Sequence, residues 1–408
     1  MNRSSEAETL VNAGVAFDAT VDSATPSMQV PISNPGRSTT RSTVLPRVER
    51  TGDGATLVSA ARPRFEHRRA LGQGGLGEVV AAVDQDIGRE VAIKRLRTDV
   101  TGPGAVARFV DEIRTVGALE HPNIVPIHDV GVADDGSLYF VMRCVQGETL
   151  ESIIEKLQAG DPLAHAHWTH ERRAHVFRQL LDAVAFAHGR GYVHRDIKPA
   201  NVMIGPWGEV FLMDWGIAKP IGAPDLPLGT SPGAATTGER VTATHVGAIL
   251  GTPMYMSPEQ AKGEQVDARS DIYSLCVLFH EFLGLRHYLE DCKTVEAVLH
   301  GVHNAHASPP TFMANRHQTP APADLSWFVS KGLAKHPSRR YQSVGEMIDR
   351  LDAREEGIIP IECHVTFTKS VMRSAMRWLD HHPALFTIGL SMTVLTMIAL
   401  MVLAIVRR

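Results

Sequence analysis

The chain has 408 residues, enough for one large domain or two modest ones with a sizeable core. Hydrophobic residues make up 44% and charged residues 21%, which is ordinary for a globular protein. The net charge of −4 gives no basic excess, so we expect no nucleic-acid partner.

The first 63 residues are predicted to form an unstructured N-terminal tail. They contain 16 Ser or Thr and few large apolar residues. Such a segment buries too little apolar surface to offset the conformational entropy that ordering would cost. Residues 1–30 also lack the apolar run flanked by basic residues that is typical of a secretory signal.

From Phe65 onward, the hydrophobic pattern predicts a strand-rich part followed by a helix-rich part. Runs of β type cover residues 78–83, 90–95, 125–130 and 138–145. Helical periodicity covers residues 105–119, 175–189, 270–285 and 343–353. In the first of these helices, Phe109, Ile113, Val116 and Leu119 are spaced to share one apolar face. This order predicts an α+β body of two lobes, a small β-rich lobe and a larger helical one, within residues 64–354.

Residues 384–406 contain no charged side chain over 23 residues. As a helix this run would be about 34 Å long, which matches a bilayer core of about 30 Å. We therefore predict one C-terminal transmembrane helix, preceded by a juxtamembrane linker over residues 355–383. A buried core helix is the alternative, although such a helix usually has a polar face. Basic residues flank both ends of the run, so they give only a weak signal for its orientation.

A glycine-rich segment spans residues 72–77, with glycines at 72, 74 and 77. Glycine allows a backbone to approach phosphate groups closely. Taken alone, the segment also fits a dinucleotide-binding fold or an ordinary turn. A dinucleotide fold requires a helix directly after the glycines. Here residues 78–83 are of β type, which favours a loop between two strands.

Two charged residues follow at suggestive positions. Lys94 ends the apolar run 91–93, and Glu112 lies 18 residues further on, in the predicted helix 105–119. A lysine at a strand end can point into a cleft and hold phosphates, and a facing glutamate would fix its ammonium group. An edge-strand lysine in solvent and an ordinary surface glutamate are the alternatives.

The most informative stretch is residues 192–202, which bring together Asp196, Lys198 and Asn201. Asp214-Trp215-Gly216 begins 13 residues after Asn201, and the segments 251–259 and 267–274 follow. In this order and spacing, the motifs resemble the protein kinase family, and specifically the eukaryotic-like Ser/Thr kinases of bacteria. The resemblance covers residues 65–354 and implies the two-lobed protein-kinase fold.

The resemblance implies roles for individual residues, with ATP and Mg²⁺ (Mn²⁺ as an alternative) as the cofactors. The catalytic residues would be Asp196, Lys198, Lys94 and Glu112. The nucleotide would be bound by Leu71, Gly72, Gly74, Gly77, Val79, Ala92, Lys94, Met142, Arg143 and Val145, and the metal by Asn201 and Asp214. Asp196 would accept or orient the proton of the substrate hydroxyl, and Lys198 would contact the γ-phosphate and favour Ser/Thr over Tyr.

The resemblance also implies supporting contacts. Glu259 would pair with Arg340, and Asp271 would brace the catalytic loop. The sequence departs from the usual family pattern at Trp215, Ser257, Arg143 and Cys276, and none of these changes removes a reacting group. We therefore expect an active enzyme. The alternatives are a non-catalytic nucleotide-binding scaffold and a small-molecule phosphotransferase.

Regulation and location follow as expectations. Arg195 directly precedes Asp196, an arrangement that often depends on activation-loop phosphate, and Thr242 and Thr244 are the expected phosphosites. Because the chemistry needs ATP, the kinase domain is placed in the cytoplasm of a single-pass membrane protein that acts on protein substrates. Only two residues follow the helix, which favours a membrane anchor over a ligand receptor. The spacing of Gly389 and Thr393 is compatible with a homodimer.

Overall fold

The structure is a computed structural model that describes residues 47–51, 54–58, 63–73, 77–97, 102–220 and 252–406. The strands are β1 (Arg47–Thr51), β2 (Gly54–Val58), β3 (Phe65–Gln73), β4 (Gly77–Asp84), β5 (Arg89–Leu96), β6 (Ile127–Val132), β7 (Leu138–Arg143), β8 (Glu148–Thr149), β9 (Tyr192–Val193), β10 (Val202–Ile204), β11 (Val210–Leu212) and β12 (Lys219–Pro220). The helices are α1 (Pro103–Ala118), α2 (Leu150–Gln158), α3 (Pro162–His167), α4 (His170–Gly189), α5 (Pro258–Lys262), α6 (Ala268–Gly284), α7 (Val295–Asn304), α8 (Ala323–Gly332), α9 (Val344–Glu355), α10 (His364–His381) and α11 (Pro383–Val406).

The first lobe is a five-stranded sheet with one helix beside it. The strand order is β3-β4-β5-β7-β6, and every neighbouring pair is antiparallel. Helix α1 begins with a proline in its first turn, where the missing N–H costs nothing. The face predicted from its periodicity is the face it buries: Phe109 packs 5.5 Å from Phe140 of the sheet, centroid to centroid, and Val116 also lies in the core.

The second lobe is mostly helical and holds the main hydrophobic core. Helices α4 and α6 meet at its centre, where the rings of Phe177 and Phe279 stack with centroids 4.1 Å apart. Phe328 of α8 meets the Phe177 ring edge-on. The predicted α+β architecture of two lobes is therefore present.

Small strand pairs in the second lobe position the loops that carry the sequence motifs. Strands β8, β10 and β11 form a three-stranded sheet, and β9 pairs with β12. The loop 194–201 connects β9 to β10, and Asp214 follows β11 by two residues. Both segments therefore start from strands held by backbone hydrogen bonds, which fix the position of the backbone that carries their side chains.

Two elements lie in segments for which no regular structure was predicted. Strands β1 and β2 form an antiparallel hairpin, with Arg47 opposite Val58, inside the segment predicted as an unstructured tail. Residues 1–46 of that tail lie outside the described residues. Helix α10 occupies 18 residues of the segment predicted as a juxtamembrane linker.

Helix α11 starts one residue before the predicted transmembrane range. Its window Pro383–Val402 has a mean hydropathy of 2.2, and none of it is buried inside the protein. The alternative of a buried core helix therefore does not describe α11. By length and composition this helix could cross a membrane.

Candidate active site

The register of the first lobe's sheet aligns the residues predicted to handle phosphate. Gly72 lies opposite Val79, Val79 opposite Lys94, and Lys94 opposite Phe140. Directly paired residues on neighbouring strands project from the same face of a sheet. Four strands therefore present one continuous row, from which Lys94 reaches toward the second lobe.

Lys94 contacts two carboxylates from distant parts of the chain. Its Nζ pairs with Glu112 of α1, and it lies 3.3 Å from Oδ1 of Asp214. The Glu112 side chain is 3% exposed, whereas that of Asp214 is 49% exposed. One ammonium group thus joins β5, α1 and the segment after β11, and it leaves the Asp214 side chain partly open to solvent.

The charges of this cluster reinforce one another. Burial alone would lower the pKa of Lys94, but Asp214 and Glu112 outweigh burial and raise it, so the ammonium group stays charged. Burial alone would raise the pKa of Asp214, yet the neighbouring Lys94 lowers it. Burial raises the pKa of Glu112, which Lys94 offsets only in part. Asp214 is therefore held as an anion, the form in which a carboxylate binds cations.

The loop 194–201 folds its polar side chains around Asp196. Lys198 Nζ lies 2.7 Å from Asp196 Oδ2. Asn201 Nδ2 donates to the backbone oxygen of Asp196 at 2.8 Å and to its Oδ2 at 3.1 Å. These bonds hold the carboxylate of Asp196 in one orientation beside a positive charge. A carboxylate held in this way can accept a proton from a hydroxyl group that approaches it.

Asp271 of α6 supports this loop from below, as the resemblance implied. It is completely buried, and it accepts the backbone N–H groups of His194 at Oδ2 and Arg195 at Oδ1, both at 2.8 Å. Arg195 has a φ of 73°, a left-handed conformation that costs a non-glycine residue about 1–2 kcal/mol. The two hydrogen bonds stabilise that turn directly before Asp196.

His188 is a residue of this site that sequence reasoning missed. Its Nε2 lies 2.8 Å from Oδ2 of Asp271, so the buried carboxylate has a partner on α4 as well as two in the loop. Burial alone would raise the pKa of Asp271, and His188 is the largest of the groups that lower it. No motif surrounds His188 in the sequence, so only the packing of α4 against α6 reveals its role.

The donor set of Asn201 and Asp214 fits a hard divalent cation. The Nδ2 of Asn201 is engaged with Asp196, which leaves its carbonyl oxygen Oδ1 for another contact. The backbone N–H of Met213 donates to the Asn201 backbone carbonyl at 2.8 Å, which ties Asp214 to the same loop. Amide and carboxylate oxygens are the ligands that Mg²⁺ prefers, so these two residues could hold it.

The residues predicted to surround a nucleotide base line the sheet near its connection to the second lobe. Ala92 is buried and lies opposite Met142, which is half-buried, as is Val145. Leu71 is partly exposed at the end of β3. Arg143 is exposed, and its guanidinium lies over the ring of Phe211 at 4.8 Å. The Arg143 side chain therefore packs against β11 of the second lobe.

The glycines of the first motif differ in how much space a side chain would have at their positions. A Cβ on Gly77 would stand 2.7 Å from the backbone oxygen of Arg95, whereas a Cβ on Gly72 would have no atom within 4 Å. Gly77 is thus required by the close approach of β5. Gly74 lies outside the described residues.

Trp215 fills the core beside the loop. It is 2% exposed, its ring lies 4.5 Å from that of His194, and it belongs to the same core cluster as Val116 of α1. Its Nε1 is buried without a hydrogen-bond partner among the described residues. A tryptophan here therefore keeps the packing of a large apolar ring and adds an unsatisfied N–H group.

The predicted pair of Glu259 and Arg340 is confirmed. Two parallel bonds of 2.7 and 2.9 Å join the guanidinium to the carboxylate in the buried interior. Arg340 also donates to the backbone oxygens of Ala334, Lys335 and Arg269. The pair joins α5 to the segment that follows α8.

The predicted phosphosites, Thr242 and Thr244, lie outside the described residues.

Comparison with known proteins identifies the family. A family model described as "protein kinase domain" matches residues 65–349. The chain belongs to the protein kinase family. This confirms the two-lobed kinase fold implied by the motifs. Lys94, Glu112, Asp196, Asn201 and Asp214 of this kinase all lie within the matched residues.

Bacterial relatives resemble the kinase over the same part of the chain. A probable serine/threonine-protein kinase of Streptomyces coelicolor is 38% identical over 298 residues, which are 72% of this chain and 40% of the relative. Serine/threonine-protein kinase PknB of Mycolicibacterium smegmatis is 38% identical over 302 residues, 73% of this chain and 44% of the relative. Serine/threonine-protein kinase PknD of Protochlamydia amoebophila is 34% identical over 295 residues, which are 71% of this chain and 30% of the relative. The kinase thus spans less than half the length of these curated relatives.

Proposed function

We propose that this protein is an ATP-dependent protein Ser/Thr kinase, with its kinase domain in residues 64–354. The observation that carries the proposal is the position of Lys94, whose Nζ pairs with Glu112 and lies 3.3 Å from Asp214. An ammonium group held between two carboxylates is pre-positioned to bind phosphate oxygens. The names of the relatives, all Ser/Thr kinases, support the choice of substrate class.

Three residues, Asp196, Lys198 and Lys94, have a defined task in the proposed reaction. The substrate hydroxyl oxygen attacks the γ-phosphorus of ATP, the bond to the departing ADP breaks, and Asp196 accepts the hydroxyl proton at its carboxylate. Lys198, 2.7 Å from Asp196 Oδ2, stabilises the negative charge of the transferred group. Lys94 holds the α- and β-phosphates. Positioning and charge stabilisation supply most of the rate in this reaction class.

Asn201 and Asp214 would hold Mg²⁺ through an amide oxygen and a carboxylate. When bound, the metal neutralises phosphate charge as the phosphoryl group moves. Strands β3 and β4, with Ala92 and Met142, cover the base and the phosphates. The half-exposed side chain of Asp214 supports its role as a metal ligand.

We further propose that α11 anchors the kinase in a membrane, with the kinase domain on the cytoplasmic side where ATP is present. The support is the candidate span Pro383–Val402. A homodimer through Gly389 and Thr393, and activation by phosphorylation of Thr242 and Thr244, complete the proposal. Phosphate mapping by mass spectrometry after incubation with ATP tests the regulation, and unchanged activity of a Thr242→Ala/Thr244→Ala variant would argue against it.

The test of the reaction itself is phosphoamino-acid analysis. The full chain is incubated with γ-labelled ATP, Mg²⁺ and a generic basic protein, and nucleotide binding is measured in parallel. We expect label on serine and threonine. Label confined to tyrosine would contradict the Ser/Thr assignment. Nucleotide binding without transfer, in the presence of vesicles and after incubation with ATP, would support the scaffold alternative.

A further inference from the structure

Helix α10 docks onto the second lobe through one polar face. Lys369 Nζ lies 2.7 Å from Oδ1 of the buried Asp324. Four residues later, Arg373 donates to the backbone oxygen of Arg354 at 2.9 Å, and after four more, Arg377 donates to that of Glu356 at 3.2 Å. Residues four apart share one side of a helix, so this basic side faces the protein.

The opposite side of α10, which we name the outer face, is apolar and exposed. At about 100° per residue, Lys369, Arg373, Arg377 and Asp380 all fall on the other half of the helix, so no lysine, arginine or carboxylate lies on the outer face. Its large side chains are between 52% and 59% exposed: Phe367, Val371, Met372 and Trp378. The exposed side chains of Val365 and Met376 lie between this face and the basic side. Four large apolar side chains exposed on one side of a helix, beside the uncharged polar residues His364, Thr368 and Ser374, mark an interaction site.

The outer face continues directly into the candidate membrane span. A single residue, His382, separates the end of α10 from Pro383, the first residue of α11. The backbone N–H of His382 donates to the oxygens of Trp378 and Leu379 at 3.0 and 3.2 Å. Because α10 has 18 residues, its far end lies within about 27 Å of the span. A membrane around α11 would therefore begin beside Trp378, at the end of the outer face nearest the span.

We propose that the outer face of α10 inserts into the headgroup region of the membrane that α11 spans, so that α10 clamps the kinase domain against the lipid surface. The inference rests on the proposed anchoring by α11. Helices with an apolar face and a charged face lie in this region of a bilayer, and tryptophan is enriched there. In this chain the charged face is occupied by the protein, which leaves the apolar face for lipid.

The clamp has a consequence for substrate choice. A kinase domain on a flexible linker could reach substrates at any height above the membrane. A domain fixed by α10 presents its cleft at one height and orientation, and so prefers hydroxyl groups on proteins at that surface. A second copy of the chain is the competing occupant of the outer face.

Quenching of tryptophan fluorescence by lipid tests the proposal. The full chain and a Trp378→Phe variant are reconstituted in vesicles of phosphatidylcholine and phosphatidylglycerol, with or without phosphatidylcholine brominated near the headgroup. Bromine quenches indoles in contact with the bilayer. We expect the quenched fraction in Trp378→Phe to be about twofold smaller than in the wild type. Equal quenching in both proteins would overturn the proposal.

A second reporter separates this proposal from the anchoring on which it rests. Leu395→Trp, made in the Trp378→Phe background, places an indole near the middle of α11, and its quenching is measured with phosphatidylcholine brominated midway along the acyl chains. If this new indole is quenched while the wild type and Trp378→Phe are quenched equally, the clamp is overturned and the span remains in place. If neither the new indole nor Trp378 is quenched, the span is overturned and, with it, the clamp.

An outer-face variant with a matched control completes the design. Val371→Glu is expected to reduce the quenching of Trp378 about twofold, because it puts a charge on the outer face, whereas Val371→Ile should leave quenching unchanged. Neither change touches the basic side of the helix. If Val371→Glu instead converts a dimer to a monomer and leaves quenching unchanged, a second copy occupies the outer face and the proposal is wrong.

Discussion

Replacing Asp271 by asparagine should uncouple the catalytic loop from the core of the second lobe. Asp271 receives three donors, with His188 and His194 at Oδ2 and Arg195 at Oδ1. An asparagine has one oxygen and one NH₂ group, and the NH₂ group cannot accept a hydrogen bond. Whichever way the amide is turned, at least one of the two backbone N–H groups loses its acceptor.

The magnitude follows from the burial of this carboxylate. A hydrogen bond to a charged group contributes about 1.5–3 kcal/mol, and a buried donor without a partner costs about 1–3 kcal/mol more. We therefore expect Asp271→Asn to lower the free energy of unfolding by about 3–5 kcal/mol. Since the Arg195 turn directly precedes Asp196, we also expect phosphoryl transfer to fall by at least tenfold under conditions where the variant is still folded.

Asp267→Asn is the matched control, because it makes the same chemical change four residues earlier, at the N-terminus of the same helix. Asp267 is half-exposed and caps α6 by accepting the N–H of Arg269. Asparagine caps helices as well as aspartate does, so the expected loss is below about 1 kcal/mol. Urea unfolding of the full chain in detergent micelles measures both variants. Equal stability losses in the two, or wild-type activity in Asp271→Asn, would refute the reasoning.

Three further predictions concern single positions. Gly77→Ala should destabilise the protein by about 1–3 kcal/mol, because its Cβ would meet the oxygen of Arg95, whereas Gly72→Ala should have little effect. Trp215→Phe should stay within about 1 kcal/mol of the wild type, since losing ring contacts is offset by removing an unpaired N–H, while Trp215→Ala should lose about 3–5 kcal/mol. Burial raises the pKa of Glu281 to about 7 from 4.5, so its contribution to stability is present below about pH 4.5 and is lost as pH rises through about 7. The free energy of unfolding should therefore decline with pH less steeply in Glu281→Gln.

Thermal and urea unfolding provide the readout for all three. Equal effects of alanine at positions 77 and 72 would mean that β5 does not constrain the glycine loop. A loss in Trp215→Phe as large as that in Trp215→Ala would mean that the indole N–H has a partner. Parallel pH profiles for the wild type and Glu281→Gln would show that Glu281 does not titrate in this range.

The residues that do the proposed chemistry could be found from the sequence because the chemistry restricts both their type and their order. Lys94 and Asp214 are 120 residues apart, yet each sits in a motif to which the resemblance to protein kinases assigns a task. Periodicity alone identified the buried face of α1, because an amphipathic helix repeats its apolar residues along one side. Glu259 and Arg340 were paired from their motif positions.

Other features depend on tertiary contacts that no local pattern encodes. His188 partners Asp271 only because α4 packs against α6. The demand for glycine at position 77 comes from the backbone of a neighbouring strand. The sequence predicts a linker where helix α10 forms, and in the structure its apolar residues face outward while its basic residues face the protein, the reverse of an ordinary surface helix. The hairpin of β1 and β2 lies in a segment too polar to signal its strands.

The most direct test of the account compares wild type with Asp196→Asn for Mg²⁺-dependent transfer of phosphate from labelled ATP to a basic protein, using the full chain in vesicles. Loss of a general base typically slows an enzyme by about 10²–10⁴-fold. We expect a decrease in that range, with nucleotide binding retained because Lys94, Glu112 and Asp214 are intact. Transfer by Asp196→Asn at the wild-type rate would contradict the central claim that this loop performs the reaction.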